Sequence, residues 1–355
     1  MQLLKKWLNP AQSGLVGLDI GSGAVKLVGL RGGASGWTAS CASWAEIEPA
    51  DDAAQQRAAT LKAVRNCVKS VSSGATRYAV CGLSGPDAAV RSFAFPAMPA
   101  EQMEKALHFE AQQVCPMDMH RSVLDYQLLC PADAGDEAKK TQSGIMVAGT
   151  EQAINERGRL VREAGAKVAL IDADGLAALN CLAALEDLDR FATVALIDMG
   201  QTYTNIILLG PNGRPFVRDV DTGSAALIEQ IARKTNSDAQ AVRSAIGSSD
   251  AQAIDENLLP ALHQAAGPLI KGIRETLNYY VSHEKSPSAE KVYLCGGAAL
   301  IGPLVEMLTD ALPTAVEVFD PFKKIRVDDA IPGAKLLNTK GPAFAVAAGL
   351  AMRTV

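Results

Sequence analysis

An α/β fold of two similarly built lobes is predicted by one short pattern that occurs twice. Residues 15–30 contain an apolar strand, a D-x-G turn that begins at Asp19, and a second apolar strand. Residues 194–210 repeat this layout around Asp198. Predicted strands and helices alternate between the copies and after them, which is the order typical of α/β proteins. Each copy therefore predicts a β-hairpin, and the duplication predicts one lobe around each.

The segments that follow the first hairpin predict a small additional unit. Helical spacing of apolar residues predicts a helix over 57–71 and another over 101–114, which ends before Pro116. The predicted strands are residues 77–83, 88–96, 122–129 and 143–150. The close succession of these elements favours a compact α/β insert over residues 86–164 rather than a linker.

The second half continues the alternation. Helices are predicted near 224–234 and 238–246, about 259–282, after the strand 291–297, and over the small-residue segment 341–353. The expected domains are a first lobe (1–85, 165–193 and 335–355), the insert (86–164), and a second lobe (194–334) whose outer subdomain is about 224–267.

Composition excludes several classes of function. The 355 residues include 48% hydrophobic and 21% charged residues, which is ordinary for a soluble protein with a core. A net charge of -5 offers no general attraction to nucleic acid or anionic lipid. The seven cysteines form no CxxC motif and the four histidines are scattered, so neither a zinc site nor a disulfide framework is expected.

Membrane segments are also not expected. The richest apolar run, Val168–Leu185, is broken by Asp172 and Asp174, and spanning needs about 20 apolar residues. The N-terminal residues lack the apolar centre of a signal peptide. These observations predict a cytoplasmic protein.

The two hairpin tips have the residue types that bind phosphate. Small residues let backbone N–H groups approach phosphate oxygens, and Lys26 supplies a positive charge. Asp19 and Asp198 suit Mg²⁺ bound through water, and the Gly296–Gly297 turn allows backbone to lie flat against a purine and ribose. The candidate residues are Asp19, Gly21, Ser22, Gly23, Lys26, Asp198, Gly200, Thr202, Thr204, Gly296 and Gly297.

A single D-x-G hairpin is usually a simple turn, but two matched copies with a later strand-G-G-helix favour nucleotide binding. A Walker A motif and a G-x-S-x-G nucleophile elbow are both absent from the sequence. The predicted cofactors are therefore ATP and Mg²⁺, bound between the two hairpins.

These motifs resemble known ones. DIGSGAVK and LIDMGQTYTNI resemble the two phosphate loops of actin and its relatives, and VYLCGGAALIGPL resembles their adenosine motif. The resemblance implies the actin/hexokinase-like duplicated fold, with two lobes around a nucleotide cleft. Within that superfamily the chain resembles the PilM family of type IV pilus assembly proteins from about residue 14 onward. The segments that carry this resemblance are 91–129, 218–232, 320–329 and 341–353.

The family resemblance implies further site residues. It places Gly223 after the second phosphate loop, and Gln240 and Arg243 near the adenine, where the family often has A-E-x-x-K. The replacement of that glutamate puts the ribose contacts in doubt. Bulky Gln201 and Tyr203 at the second tip make hydrolysis less secure than binding, so the protein is predicted to be at most a slow ATPase.

Asp174 has two open interpretations. It lies 24 positions before Asp198, a spacing similar to that of the connecting glutamate in heat-shock chaperone ATPase domains. The resemblance implies that Asp174 positions the attacking water. The other interpretation is a carboxylate at a helix start that caps backbone amides.

The PilM resemblance also implies a partner. Such proteins capture the cytoplasmic N-terminal tail of PilN, a bitopic inner-membrane protein, in a groove between the first lobe and its insert. This chain is then an adaptor at the periphery of the inner membrane, and its membrane contact is indirect. Val90, Phe93 and Phe95 are candidate groove walls, although core packing is an alternative role for each.

Two other functions remain open. A sugar-type small-molecule kinase shares the fold, but no recognisable set of acceptor-binding residues occurs in 86–164. A polymerising division protein similar to FtsA shares the insert, but that family ends in a linker and an amphipathic helix, and this sequence shows none after residue 353.

Overall fold

The computed structural model describes residues 15–34, 36–71, 78–129, 141–247 and 258–353. The expected first lobe includes residues 1–14 and 354–355, and the expected outer subdomain includes 248–257, all of which lie outside the described residues. Two five-stranded sheets and one three-stranded sheet organise the described part of the chain.

The first lobe is built on the sheet β3-β2-β1-β4-β8. Its strands are β1 (Leu15–Ile20), β2 (Ala24–Gly33), β3 (Gly36–Glu46), β4 (Tyr78–Leu83) and β8 (Lys167–Ala173). The first three strands are antiparallel, whereas β4 and β8 run parallel to β1. Every residue of β1 is buried, because helices cover both faces of the sheet.

The second lobe repeats this topology in the sheet β11-β10-β9-β12-β13. Its strands are β9 (Thr193–Met199), β10 (Thr204–Leu209), β11 (Pro215–Val220), β12 (Ala289–Cys295) and β13 (Ala315–Val318). The two hairpins also match in register, since Asp19 pairs with Lys26 and Asp198 pairs with Asn205. The duplicated two-lobe architecture predicted from the sequence is confirmed.

The helices lie around and between the two large sheets. They are α1 (Ala53–Val71), α2 (Ala100–Val114), α3 (Glu151–Glu163), α4 (Asp174–Leu185), α5 (Ser224–Thr235), α6 (Ala239–Ile246), α7 (Leu258–His283), α8 (Gly302–Ala311), α9 (Ala334–Lys340) and α10 (Ala345–Ala351). Helices α4 and α10 pack closely against each other, and a Cβ added at Gly349 would lie 1.8 Å from the carbonyl oxygen of Ala177. Among the described residues, no helix combines the length and the apolar character needed to cross a bilayer.

The described residues of the insert form a three-stranded antiparallel sheet with one α-helix. Strand β7 (Thr141–Thr150) lies between β5 (Ala88–Pro96) and β6 (Ser122–Leu129), and α2 covers one face. Phe93, Met103 and Leu107 form part of the core of this unit.

Residues 151–163 were expected to belong to the insert, but they form α3, which packs on the first lobe. Arg57 of α1 donates from Nε to Glu156 Oε1 at 2.6 Å and pairs with Glu163 at 2.8 Å. Val161 of α3 lies in the same apolar cluster as residues of α1. The sheet of the insert therefore ends at Thr150, and α3 connects it to the body of the first lobe.

Candidate functional site

A cavity of about 870 Å³ lies where the two hairpin tips approach each other. It is lined by residues of both phosphate loops, the start of α4 and the turn after β12. The lining includes Asp19, Gly21, Ser22, Gly23, Lys26, Asp174, Asp198, Gly200, Thr202, Arg243 and Gly297. The fold therefore brings together most of the nucleotide-binding residues expected from the sequence.

Lys26 and Asp19 form an ion pair at the floor of this cleft. Their register across β1 and β2 places the two side chains on one face, and Lys26 Nζ donates to Asp19 Oδ2 at 2.6 Å. Both side chains are largely buried. Burial alone lowers the pKa of Lys26, but the charge and hydrogen bond of Asp19 outweigh it and the pKa is raised. The lysine therefore stays positively charged in the cleft.

Asp174 and Asp198 add two more carboxyl groups beside this pair. Burial, followed by the charge of Asp19, raises the pKa of Asp174 to about 7. Burial raises the pKa of Asp198 to about 6, although the charge of Lys26 opposes that shift. One oxygen of Asp174, Oδ1, is buried and has no hydrogen-bond partner within the part of the chain that the structure describes. The cleft thus holds more negative charge than Lys26 balances, which favours a bound cation.

The three carboxylates fit Mg²⁺ only through water. Among the described residues, no three acidic, histidine or cysteine side chains are arranged to ligate a metal ion directly. Mg²⁺ usually keeps several waters and is held by one or two carboxylates together with substrate phosphates. Asp19 and Asp198 meet that requirement from opposite hairpins.

The two phosphate-loop tips touch each other across the cleft. Thr202 Oγ1 donates to Ser22 Oγ at 2.8 Å. The side chain of Gln201 lies over Gly23, where an added Cβ would meet Gln201 Oε1 at 1.7 Å. Arg243 from α6 donates to the same Gln201 oxygen at 3.2 Å. Bulky Gln201 therefore fills the gap between the loops and links α6 to the first lobe.

The turn after β12 offers a flat, partly apolar surface. Gly296 has a φ of +87°, and a Cβ there would lie 2.3 Å from Asp198 Oδ1. Space around Gly297 is open, with no atom within 4 Å of an added Cβ. Apolar residues beside it in the cleft lining are Ile228, Ile246, Leu300 and Ile301. This end of the cleft is therefore open and partly apolar.

Several expected site residues lie elsewhere. Thr204 is fully buried and donates to the carbonyl oxygen of Thr222, so its hydroxyl faces away from the cleft. Gln240 is exposed and does not line the cleft. Gly223 packs against the backbone of Gln201, and a Cβ there would meet that carbonyl oxygen at 2.4 Å. Thr204 and Gly223 thus support the second hairpin and its flanking segment, whereas Gln240 lies on the exposed face of α6.

Sequence reasoning missed Arg157. This residue of α3 lines the cleft and donates from Nη1 to the carbonyl oxygen of Ile20, at the end of β1. It lies close enough to Asp174 for its charge to oppose the rise in that pKa. Neither contact has a local signal in the sequence, because 137 positions separate Arg157 from Ile20.

A second cavity of about 400 Å³ adjoins the cleft and forms a groove beside the insert. It is bounded by the end of β4, the start of β5 and strand β11 of the second lobe. The lining includes Pro86, Ala88, Ala89, Val90, Arg91, Pro116, Val217, Arg218, Asp219 and Asp221. This groove therefore has apolar and charged walls.

The three candidate wall residues differ in position. Val90 lines the groove and is buried. Phe93 is buried in the core of the insert, and Phe95 stacks on it at 5.3 Å between ring centroids. Neither phenylalanine is among the residues that line the groove.

The duplicated sheets and the cleft between them define an actin-like ATPase fold. The structure of a PilM-PilN type IV pilus biogenesis complex is similar, with a TM-score of 0.79, 26% identity, and coverage of 96% of this chain and 98% of that chain. The structure of the ethanolamine utilization protein EutJ from Carboxydothermus hydrogenoformans is similar with a TM-score of 0.56 and 14% identity, and the match covers 100% of this chain and 96% of that chain. A glycerol dehydratase reactivase has a TM-score of 0.51 and 10% identity, and the match covers 95% of this chain and 99% of that chain. The last two show the fold alone.

The model of one family matches nearly the whole chain. Residues 17–355 match the type IV pilus assembly protein PilM. The chain belongs to the PilM family.

Proposed function

We propose that the protein is a nucleotide-bound adaptor of a type IV pilus machine that holds the cytoplasmic N-terminal tail of a PilN-like inner-membrane protein. The observation that carries this proposal is the groove beside the insert, in a chain 26% identical to the PilM of a PilM-PilN complex over 96% of its length. An extended peptide meeting backbone edges and apolar pockets is a common recognition mode.

The tail occupies the groove between the first lobe, the insert and β11. Val90, Pro86 and Val217 supply apolar contacts. Charges of both signs come from Arg91, Arg218, Asp219 and Asp221. Such a tail orders on binding and loses chain entropy, so its dissociation constant is expected near the micromolar range. The protein then lies at the cytoplasmic face of the inner membrane because its partner spans that membrane.

ATP with Mg²⁺ occupies the cleft in this proposal. The phosphates lie between the two tips, where Ser22, Thr202 and backbone N–H groups donate to them. Lys26 balances part of their charge, and Asp19 and Asp198 hold Mg²⁺ through water. Asp174 is the residue placed to orient a water near the phosphates, and its raised pKa leaves it partly protonated near neutral pH.

Peptide binding is the decisive test. A fluorescent peptide carrying the first dozen or so residues of a PilN-like protein is titrated with the protein, with and without Mg-ATP. Ala88→Trp fills the groove and should weaken binding at least tenfold. Ala94→Trp lies on the same strand but is exposed outside the groove, so it serves as the matched control. Absence of binding by the unmodified protein in both conditions rejects the adaptor function.

Nucleotide binding is tested separately by calorimetry. Gly297→Val places a branched side chain in open space at the purine end of the cleft, so the fold should survive while ATP affinity falls. Gly302→Val also meets no atom within 4 Å but lies outside the cleft lining, and it should bind ATP normally. Equal ATP affinity in both variants contradicts the proposed nucleotide site.

A further inference from the structure

The nucleotide cleft and the groove share one wall. Ser84, Tyr203, Asn205 and Asp219 line both cavities. Tyr203 belongs to the tip of the second phosphate hairpin, whereas Ser84 comes directly before the turn that enters the insert. A ligand that shifts these residues in one cavity therefore also changes the lining of the other cavity.

Tyr203 reaches from the second lobe to the root of the insert. Its ring lies against Gly85, where an added Cβ would be 3.0 Å from the ring. Gly85 has a φ of +70° and begins the 3-10 turn Gly85–Asp87, which leads directly into β5 of the insert. The ring therefore touches the backbone segment from which one groove wall begins.

Asp219 of β11 contacts the same segment from the other side. It accepts a hydrogen bond from the backbone of Gly85 and one from Asn205 Nδ2, and the charge of Arg91 in the insert faces it. Asn205 is buried, and none of the described residues forms a hydrogen bond with its Oδ1. This wall therefore contains a buried polar atom that is unsatisfied in the present arrangement, which costs free energy that a rearrangement on ligand binding could recover.

The closed tips explain how nucleotide would act on this wall. A phosphoryl group between the loops must replace the hydrogen bond from Thr202 to Ser22. It must also displace Gln201 from Gly23. Both changes move the segment 201–203, and Tyr203 moves with it.

We propose that Tyr203 links the two sites, so that nucleotide in the cleft withdraws its ring from Gly85 and opens the groove for the peptide. This linkage rests on the proposed function, because it requires both ligands. By thermodynamic reciprocity, peptide must strengthen nucleotide binding by the same factor as nucleotide strengthens peptide binding. Couplings of this kind are typically between about 5-fold and 150-fold.

The coupling is measured as a closed cycle of four dissociation constants. Peptide affinity is determined with and without saturating Mg-ATP, and ATP affinity with and without saturating peptide. The linkage predicts that each ligand tightens the other at least fivefold, by equal factors. The linkage is overturned if saturating one ligand changes the dissociation constant of the other by less than twofold, or if it weakens the binding of the other. If both ligands bind independently the adaptor function stands, whereas failure of the peptide to bind at all rejects both.

Substitutions of Tyr203, with Tyr78 as the control position, locate the coupling. In Tyr203→Ala, each ligand should change the affinity of the other by less than twofold. Tyr203→Phe keeps the ring on Gly85 and should retain the full coupling factor. Tyr78→Ala is the matched control, because Tyr78 is exposed and lines neither cavity. Where Tyr203→Ala fails to fold, Tyr203→Leu keeps an apolar side chain without the flat ring and should also lose the coupling. Coupling that survives in the Ala or Leu variant contradicts the role of Tyr203.

Discussion

At the scale of residues, the buried pair of Lys26 and Asp19 dominates the electrostatics of the cleft. Loss of one partner from a buried pair leaves an uncompensated charge and costs about 3–5 kcal/mol. Lys26→Met should therefore lower the free energy of unfolding by about 3 kcal/mol, measured by urea denaturation. The double variant with Asp19→Asn should recover part of that loss.

An exposed pair provides the control for this measurement. Lys62 Nζ lies 2.9 Å from Glu48 Oε1, but both side chains are more than half exposed. Exposed pairs contribute little, so Lys62→Met should leave stability nearly unchanged. Equal losses in Lys26→Met and Lys62→Met would contradict the importance of burial.

Asp174 predicts a pH dependence of stability. Its pKa of about 7 in the folded protein exceeds about 3.9 in unfolded chains, so the folded state binds the proton more tightly. Stability then falls as pH rises from about 4 to 7, where the folded protein must ionise a buried carboxyl.

Asp174→Asn removes that titration and isolates its contribution. Without nucleotide or Mg²⁺, the variant and the unmodified protein should differ in free energy of unfolding by an amount that changes with pH. From pH 5 to pH 8, this difference should shift by about 2 kcal/mol in favour of the variant. Urea midpoints at three pH values measure this difference, and the exposed Asp310→Asn is the control. A stability difference that stays constant with pH would show that Asp174 does not titrate in this range.

Local spacing predicted the residues at the hairpin tips but not their long-range partners. The repeated D-x-G pattern identified Asp19, Asp198 and the small residues near them, because hairpin register follows from adjacent sequence. Arg157 and Asp219 reach the cleft through tertiary packing, for which the hairpin pattern contains no signal. Asn205 differs, because it occupies the position in the second hairpin that matches Lys26 in the first, and the duplicated pattern could have identified it. Conversely, Thr204 matched the expected residue type but points to Thr222.

At the scale of elements, the contact between α4 and α10 depends on glycine. Gly349→Ala forces a Cβ to within 1.8 Å of the Ala177 carbonyl oxygen, so the two helices must separate. Overpacking of this kind costs about 1–3 kcal/mol, and a rigid backbone neighbour favours the upper end. Thermal denaturation should show the loss.

A glycine inside α3 gives the matched control. A Cβ at Gly158 meets only the flexible guanidinium of Arg162, at 3.1 Å. Alanine has the higher helix propensity, so Gly158→Ala should stabilise the protein by about 0.5–1 kcal/mol. A similar effect of both substitutions would mean that helix propensity, not close packing, governs Gly349.

The elements missed by the sequence analysis lack a clear period. Strand β3 is rich in serine, alanine and tryptophan, and α3 has few buried apolar residues. Strand β8 lies almost entirely within a longer apolar run that continues into α4. The spacing of apolar residues in that run does not show where the strand ends and the helix begins. Their places are determined by packing, for example by the contact of α3 with α1. Elements with strong alternation or helical spacing, such as β5 and α2, were predicted nearly to their ends.

At the scale of the whole molecule, the proposed nucleotide contacts residues of both lobes. A ligand that binds only the folded state raises the free energy of unfolding by RT ln(1 + [L]/Kd), which is about 2.7 kcal/mol when the ligand concentration is a hundred times Kd. Mg-ATP should therefore raise the melting temperature, whereas Gly297→Val should abolish the rise. Hydrolysis should remain below about 1 s⁻¹, the low end of typical enzyme rates, because the raised pKa of Asp174 leaves the proposed water-orienting carboxyl partly protonated near neutral pH. Faster turnover in a phosphate-release assay would contradict this expectation.

Attachment to membranes should depend on the captured tail. The net charge of -5 gives the protein no general attraction to anionic lipid, and the groove carries acidic as well as apolar residues. In a flotation assay, the protein should remain with the soluble fraction when vesicles are bare. Vesicles that display the tethered tail of a PilN-like protein should carry it upward, and Ala88→Trp should prevent this while Ala94→Trp does not. Equal flotation with bare and tail-bearing vesicles would place membrane attachment in the chain itself and leave the groove without that role.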